Sequence, residues 1–236
     1  MAEVIGILGA MESEVKFLCK ALQNPETTVI NNTSFVKGTI DDKTVVVAKC
    51  GVGKVNAALC AQLMILKMGA TKLINTGIAG ALGGNLQIFD FVISSKAVYH
   101  DFDTTAFGYK NGQVTGMPEF YEADASLVAQ IEKSFKKVLI SQIHSLKVGL
   151  IASGDQFICK KEQKDFIKST FDPLCVEMEG AAIAQTCFLN KVPFVIIRCL
   201  SDMADETVQS TYAFNEDVAA QKSAEFVMQV IKDLER

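Results

Sequence analysis

The sequence predicts an α/β fold in one domain spanning residues 1–236, with a doubly wound sheet. Three observations carry this expectation. The continuously apolar run Val4 to Ala10, the stretch Lys72 to Thr76 and the bulky, β-branched run Phe194 to Leu200 read as buried strands. Amphipathic or Ala-rich stretches of helical length alternate with them. The chain has 236 residues, 49% hydrophobic and 21% charged, which suits one such domain with most of its apolar surface buried.

In chain order, Val4 to Ala10 is followed by Met11-Glu12-Ser13-Glu14 and an apolar rhythm at Val15, Leu18, Cys19 and Leu22, which spells a helix. Thr27 to Lys37 and Thr44 to Cys50 read as two strands around the turn Asp41-Asp42. The segment CGVGKVNAA then leads into a helix from Val55 to Met68. It is no P-loop, because neither Ser nor Thr follows Lys54, and Asn56 stands where a dinucleotide fingerprint needs a third glycine. A tight turn is the expected role. The strand at Lys72 to Thr76 ends in the small-residue stretch from Gly77 to Gly84, where backbone can approach a ligand closely. Asp90 to Val98 reads as a strand, and Tyr99 to Ala123 as a long irregular segment of functional or interface type. Ala125 to Lys137 is helical, Leu146 to Ala152 a strand, Glu162 to Ser169 a short helix, and Phe214 to Leu234 a terminal amphipathic helix.

The stretch DPLCVEMEGAAIAQTCFLNKVPFVIIRCLSDMADE, from Asp172 to Glu206, organises the rest. It reads as strand, helix, strand, with Gly180 opening the helix and Pro193 preceding the second strand. Ligands of doubly wound sheets bind beyond the carboxyl ends of strands, where Glu177, Glu179 and Asp202 fall. The alternative is that these acids are solvated loop residues or caps. Glu12 sits at a strand-to-helix turn, where a carboxylate also favours the helix dipole on its own account.

Composition excludes several classes. A formal net charge of −4, a pI near 5.3 and no long basic run argue against a nucleic-acid partner. The start, MAEVIGILGAMESEV, lacks the basic region of a signal peptide, and no apolar run approaches membrane-spanning length. Of seven cysteines none forms a Cys-x-x-Cys pair, and most sit in apolar surroundings, the usual setting of reduced thiols. These features point to a cytoplasmic protein. His100 and His144 lie far apart in sequence, so no metal cluster and no cofactor is expected.

GAMESEV, VEMEGAAIA and FVIIRCLSDMAD resemble the 5′-methylthioadenosine/S-adenosylhomocysteine nucleosidases of the nucleoside phosphorylase superfamily. The resemblance implies a three-layer α/β/α domain around a central mixed twisted sheet, hydrolysis of a purine N-glycosidic bond, and a place in methionine salvage. It assigns Asp202 as general acid to purine N7, Glu12 to the attacking water and Glu179 to the ribose hydroxyls. Met178 would pack on the ribose, with Ser201 orienting Asp202 or capping its turn. Phe157 and Ile158 in SGDQFI match the adenine pocket, and Ile78, Ala79 and Gly80 match a backbone contact loop in which the family often has Ser at position 78. Phe214 matches an aromatic of the alkylthio pocket. HDFDTTAFGY resembles a dimer segment, in which Phe107 would reach the partner subunit's site; the alternative is a loop aromatic that covers the core. Arg198 either positions the acidic loop or forms a structural ion pair.

Such a reaction needs an acid for the departing purine, polar groups at the sugar and an activated water. The alternative is a phosphorolytic purine nucleoside phosphorylase of the same fold. Phosphorolysis requires cationic donors for phosphate, whereas NTGIAG offers Asn75 and Ile78 and the AMESE turn offers carboxylates. The resemblance also covers nucleosides that differ at the 5′ substituent, including 5′-deoxyadenosine and 6-amino-6-deoxyfutalosine.

Overall fold

The computed structural model describes residues 3–205 and 208–235, with the side chains of 208–214 outside that description. Ten strands form one mixed sheet: β1 (Val4–Gly9), β2 (Gln23–Ile30), β3 (Thr33–Ile40), β4 (Lys43–Lys49), β5 (Lys72–Ala81), β6 (Phe91–Tyr99), β7 (Tyr121–Glu122), β8 (Leu146–Ser153), β9 (Cys175–Glu177) and β10 (Phe194–Asp202). The helices are α1 (Glu12–Ala21), α2 (Lys54–Leu66), α3 (Ala125–Phe135), α4 (Lys161–Phe171), α5 (Gly180–Asn190) and α6 (Val208–Asp233).

The strand order β10-β6-β8-β9-β5 closes on itself, because β10 also pairs in parallel with β5. From this ring the sheet runs on through β1, β4, β3 and β2. β1, β5 and β10 are buried along nearly their whole length, which explains their largely apolar sequence. Helices α1, α3 and α6 cover one face over a core that includes Ile5, Ile74, Phe91 and Phe226. Helices α2 and α5 pack together on the other, over Leu8, Met64, Leu73 and Ile183. The expected layering of helices on both faces of a mixed sheet is therefore present.

Three local expectations change. Thr27 to Lys37 is not one strand: Asn31 and Asn32, with φ of 49° and 63°, turn the chain between β2 and β3. A pair of left-handed residues is what a two-residue hairpin demands, and Asn adopts that region at low cost. The glycine-rich stretch after Thr76 is no loop either. β5 continues to Ala81 because its late residues pair with β10 on one side and β9 on the other. The terminal helix also starts earlier than Phe214, at Val208.

Candidate active site

Strand ends of β1, β5, β9 and β10 meet the start of α1 in an open cleft lined by apolar and acidic side chains. Ile78, Ala79 and Gly80 of β5 form one wall, and Glu177, Met178 and Glu179 another. Ser201 and Asp202 close it from β10, Phe157 and Ile158 from the loop after β8. These sequence-predicted residues thus come together in space. Phe157 is half exposed at the cleft, whereas Ile158 is buried and packs in the same small cluster as Ala204.

Asp202 occupies a bulge at the end of β10. The register with β5 slips between Leu200 and Asp202, opposite Ala79 and Gly80. Bulges re-aim a strand's side chains, and this one leaves Ser201 between the two paired positions. Ser201 Oγ donates to Asp202 Oδ2 at 2.8 Å, and Ala204 N donates to Oδ1 at 2.8 Å. Both bonds favour the carboxylate, yet burial outweighs them and pushes the Asp202 carboxyl above its ordinary range. Gly80 is required here, since a Cβ would stand 2.9 Å from Asp202 Oδ1.

The acid of the α1 turn that faces the cleft is Glu14. Its Oε2 accepts the amides of Ala10 (2.6 Å) and Met11 (3.0 Å), reaching back over the helix start as a third-position glutamate does. Its Oε1 accepts Ile78 N at 3.0 Å. Burial raises the Glu14 pKa, against the pull of Arg198 and those three amides. The expectation for Glu12 is corrected accordingly. Glu12 is the first residue of α1, its side chain 69% exposed and paired with Lys49 at 3.1 Å, and it lies outside the cleft. A helical residue two positions away points about 200° around the axis, so both cannot face inward.

Glu179 is buried beside Glu177 and Arg198. Burial first, then the Glu177 charge, raise its pKa to about 8, against Arg198 and a 2.9 Å hydrogen bond from Gly53 N. The turn Gly51-Val52-Gly53, a plain turn by sequence, thus supplies a donor to the site. Glu177 has a different occupation: it accepts from Ser153 Oγ and Arg198 Nη2, and caps α5 through Glu179 N and Gly180 N. Arg198 also donates to Asn75 Oδ1 at 2.6 Å. It therefore forms the structural ion pair that was one of its two expected roles, beneath the cleft floor. Gly77 makes room for it, because a Cβ would meet Glu14 Oε1 at 2.4 Å and Arg198 Nη1 at 2.6 Å.

Phe107, expected at a partner subunit's site, does not line this chain's own cleft. Phe107 lies in a short 3₁₀ turn, Thr105–Phe107, with 80% of its surface exposed. Phe214 falls in the first turns of α6, where its side chain lies outside the described residues.

The family model of the phosphorylase superfamily matches residues 4–232. A 5′-methylthioadenosine/S-adenosylhomocysteine nucleosidase of Staphylococcus carnosus is 44% identical over 232 residues, covering 98% of this chain and 100% of that protein. The nucleosidase of that name from Neisseria meningitidis, solved with methylthio-immucillin-A, superposes with a TM-score of 0.95 at 37% identity, covering 98% of this chain and 100% of that one. A futalosine hydrolase mutant of Helicobacter pylori superposes with a TM-score of 0.93 at 35% identity, over 99% and 100% of the two chains. With the fold, the cleft and these relatives in agreement, the chain belongs to the phosphorylase superfamily and, within it, to the 5′-methylthioadenosine/S-adenosylhomocysteine nucleosidases.

Proposed function

We propose that this chain, as one catalytic domain, hydrolyses the N-glycosidic bond of 5′-methylthioadenosine and S-adenosylhomocysteine, releasing adenine and the 5-substituted ribose. The observation that carries the mechanism is three buried acids, Glu14, Glu179 and Asp202, lining one cleft with all three pKa values raised. Asp202 keeps its proton until the glycosidic bond stretches and purine N7 becomes basic, then gives it up. Ser201 and the Ala204 amide stabilise the carboxylate left behind. Glu14 takes a proton from the attacking water, with its second oxygen fixed by the Ile78 amide. Glu179 accepts from the ribose hydroxyls, Met178 packs on the sugar, and the purine lies on Phe157 and Ile158.

Water rather than phosphate fits as nucleophile. Each carboxylate within ~4 Å of a phosphate charge would repel it by roughly 4 kcal/mol at an effective dielectric near 20. The nearby arginine, Arg198, is already engaged by Glu177 and Asn75. The test is adenine release from 5′-methylthioadenosine in ¹⁸O-water, with and without phosphate. Equal rates and labelled methylthioribose support hydrolysis; a ribose 1-phosphate overturns it. Running S-adenosylhomocysteine, 5′-deoxyadenosine and 6-amino-6-deoxyfutalosine beside it ranks the 5′ substituents, a choice the futalosine hydrolase relative makes pertinent.

The working form is a homodimer. Val55, Leu59 and Leu66 on α2 and Phe188 and Leu189 on α5 leave an apolar surface exposed on two helices that pack side by side, and Phe107 is exposed on its own segment. Seven free cysteines, five of them buried, suit a reducing cytoplasm, and the proposed substrates suit a role in methionine salvage.

A further inference from the structure

Beside the cleft, three loops are laced together by a cluster that no step above uses. Lys54, at the start of α2, places Nζ 2.7 Å from both carboxylate oxygens of Asp101, just beyond β6. The same ammonium lies 3.7 Å from Asp155 Oδ2, beyond β8. Backbone bonds complete the lacing: Lys54 N donates to Asp155 Oδ1 at 2.8 Å, and Asp155 N donates to Asp101 Oδ2 at 2.8 Å. Surface ion pairs contribute little, but the side chains of Lys54 and Asp101 are 22% and 12% exposed, and their bonds are short and reciprocal.

The cluster meets the site at Gly53. Gly53, whose N–H is held on Glu179 Oε1 at 2.9 Å, immediately precedes Lys54. Gly53 has φ +96°, a conformation open to glycine, and a Cβ on it would stand 3.1 Å from Asp155 Oδ1. The peptide that meets Glu179 is thus set by the contacts Lys54 makes with two aspartates.

We propose that Lys54, Asp101 and Asp155 are positioning residues for Glu179: they hold the Gly53 amide against its carboxylate, and so keep that group oriented toward the ribose. The inference rests on the reading that Glu179 binds ribose. Glu179 is faced by Glu177 from β9, Arg198 from β10 and Glu14 from α1, and the Gly53 N–H joins Arg198 in favouring its ionised form. Loosening that amide leaves less carboxylate to accept from the sugar.

The test uses adenine, which has no sugar, and a 7-deaza analogue of 5′-methylthioadenosine, which lacks the N7 that must be protonated and so survives in the site. Calorimetry measures both ligands on wild type, Lys54→Met, Asp101→Asn, Glu179→Gln and the double variant Lys54→Met/Glu179→Gln. Lys54→Met and Asp101→Asn should each weaken the nucleoside about tenfold and adenine less than twofold. In the Glu179→Gln background, Lys54→Met should cost less than twofold further, because the group it positions is gone. Lys54→Arg should recover most of the loss.

A nucleoside affinity unchanged in both single variants overturns the proposal, as does an equal loss for adenine or an undiminished loss in the Glu179→Gln background. If Glu179→Gln itself binds the nucleoside as wild type does, the ribose assignment fails instead. The two failures are therefore distinct.

Discussion

The amide of Ile78 on β5 donates to the Glu14 carboxylate on α1 at 3.0 Å, joining residues 64 positions apart at the floor of the cleft. This bond fixes one oxygen of Glu14 and leaves the residue on the wall formed with Ala79 and Gly80. It also makes Ile78 contribute through its backbone, so no side-chain hydroxyl at that position is needed to hold the acid.

Glu14→Gln keeps the hydrogen-bonding oxygen but cannot take a proton. Its kcat should fall ~10²–10⁴-fold, the usual cost of losing a general base, with adenine binding retained. Glu12→Gln, altering an exposed residue paired with Lys49, should stay within about threefold of wild type. Steady-state adenine release from both variants decides between them; a dead Glu12→Gln beside an active Glu14→Gln would return the role to the first acid.

The sequence held the information to separate these acids. Leu18 and Leu22, both buried, continue back at four-residue spacing to Glu14, so the inward stripe includes Glu14 and passes Glu12 by. The strands β1, β5 and β10 were legible for a related reason, being apolar on both sides in a covered sheet. Contacts from distant backbone were not legible. Nothing near Gly53 in sequence points to Glu179, since the 2.9 Å bond between them spans 126 residues. The closing of the sheet into a ring is equally hidden, because it depends on β10 having two partners at once.

Asp202→Asn preserves shape and can still donate a hydrogen bond, but it transfers no proton to N7. A fall in kcat of at least ~10²-fold with little change in KM is expected. Asp205→Asn, in the loop just beyond, should retain most activity. In wild type the acid works protonated, with its pKa raised by burial, so kcat should decline on the alkaline side as Asp202 ionises. A pH–rate profile without that decline, or an active Asp202→Asn, would remove the residue from the mechanism.

Dimerisation can be tested from both sides of the suggested contact. Leu59→Glu places a charge on the exposed apolar stripe of α2 and should shift the protein to monomer in sedimentation velocity, without lowering its melting temperature by more than a few degrees. Phe107→Ala, at an 80% exposed position, should leave folding intact and raise KM by about three- to tenfold if the ring completes a neighbouring site. A fully active Leu59→Glu monomer would show that each cleft works alone.

Glu179 gives a stability signature independent of turnover. Its carboxyl is raised from 4.5 to about 8 by burial and by the neighbouring Glu177, against Arg198 and the Gly53 amide. The folded protein therefore binds this proton more tightly than the unfolded chain. Such a group contributes stability in full below the unfolded pKa of 4.5, and the contribution is lost as pH rises toward about 8. The ligand-free protein should lose melting temperature across that window, with Glu14 and Asp202, also raised, acting in the same direction. Glu179→Gln is neutral at every pH and retains an oxygen for the Gly53 amide. Its melting curve should decline less steeply between about pH 5 and pH 8, and at about pH 8 the variant should be the more stable protein. Thermal unfolding of both proteins in buffers of constant ionic strength measures this. Parallel curves would mean that Glu179 is ionised throughout, and that Arg198 outweighs burial at this site.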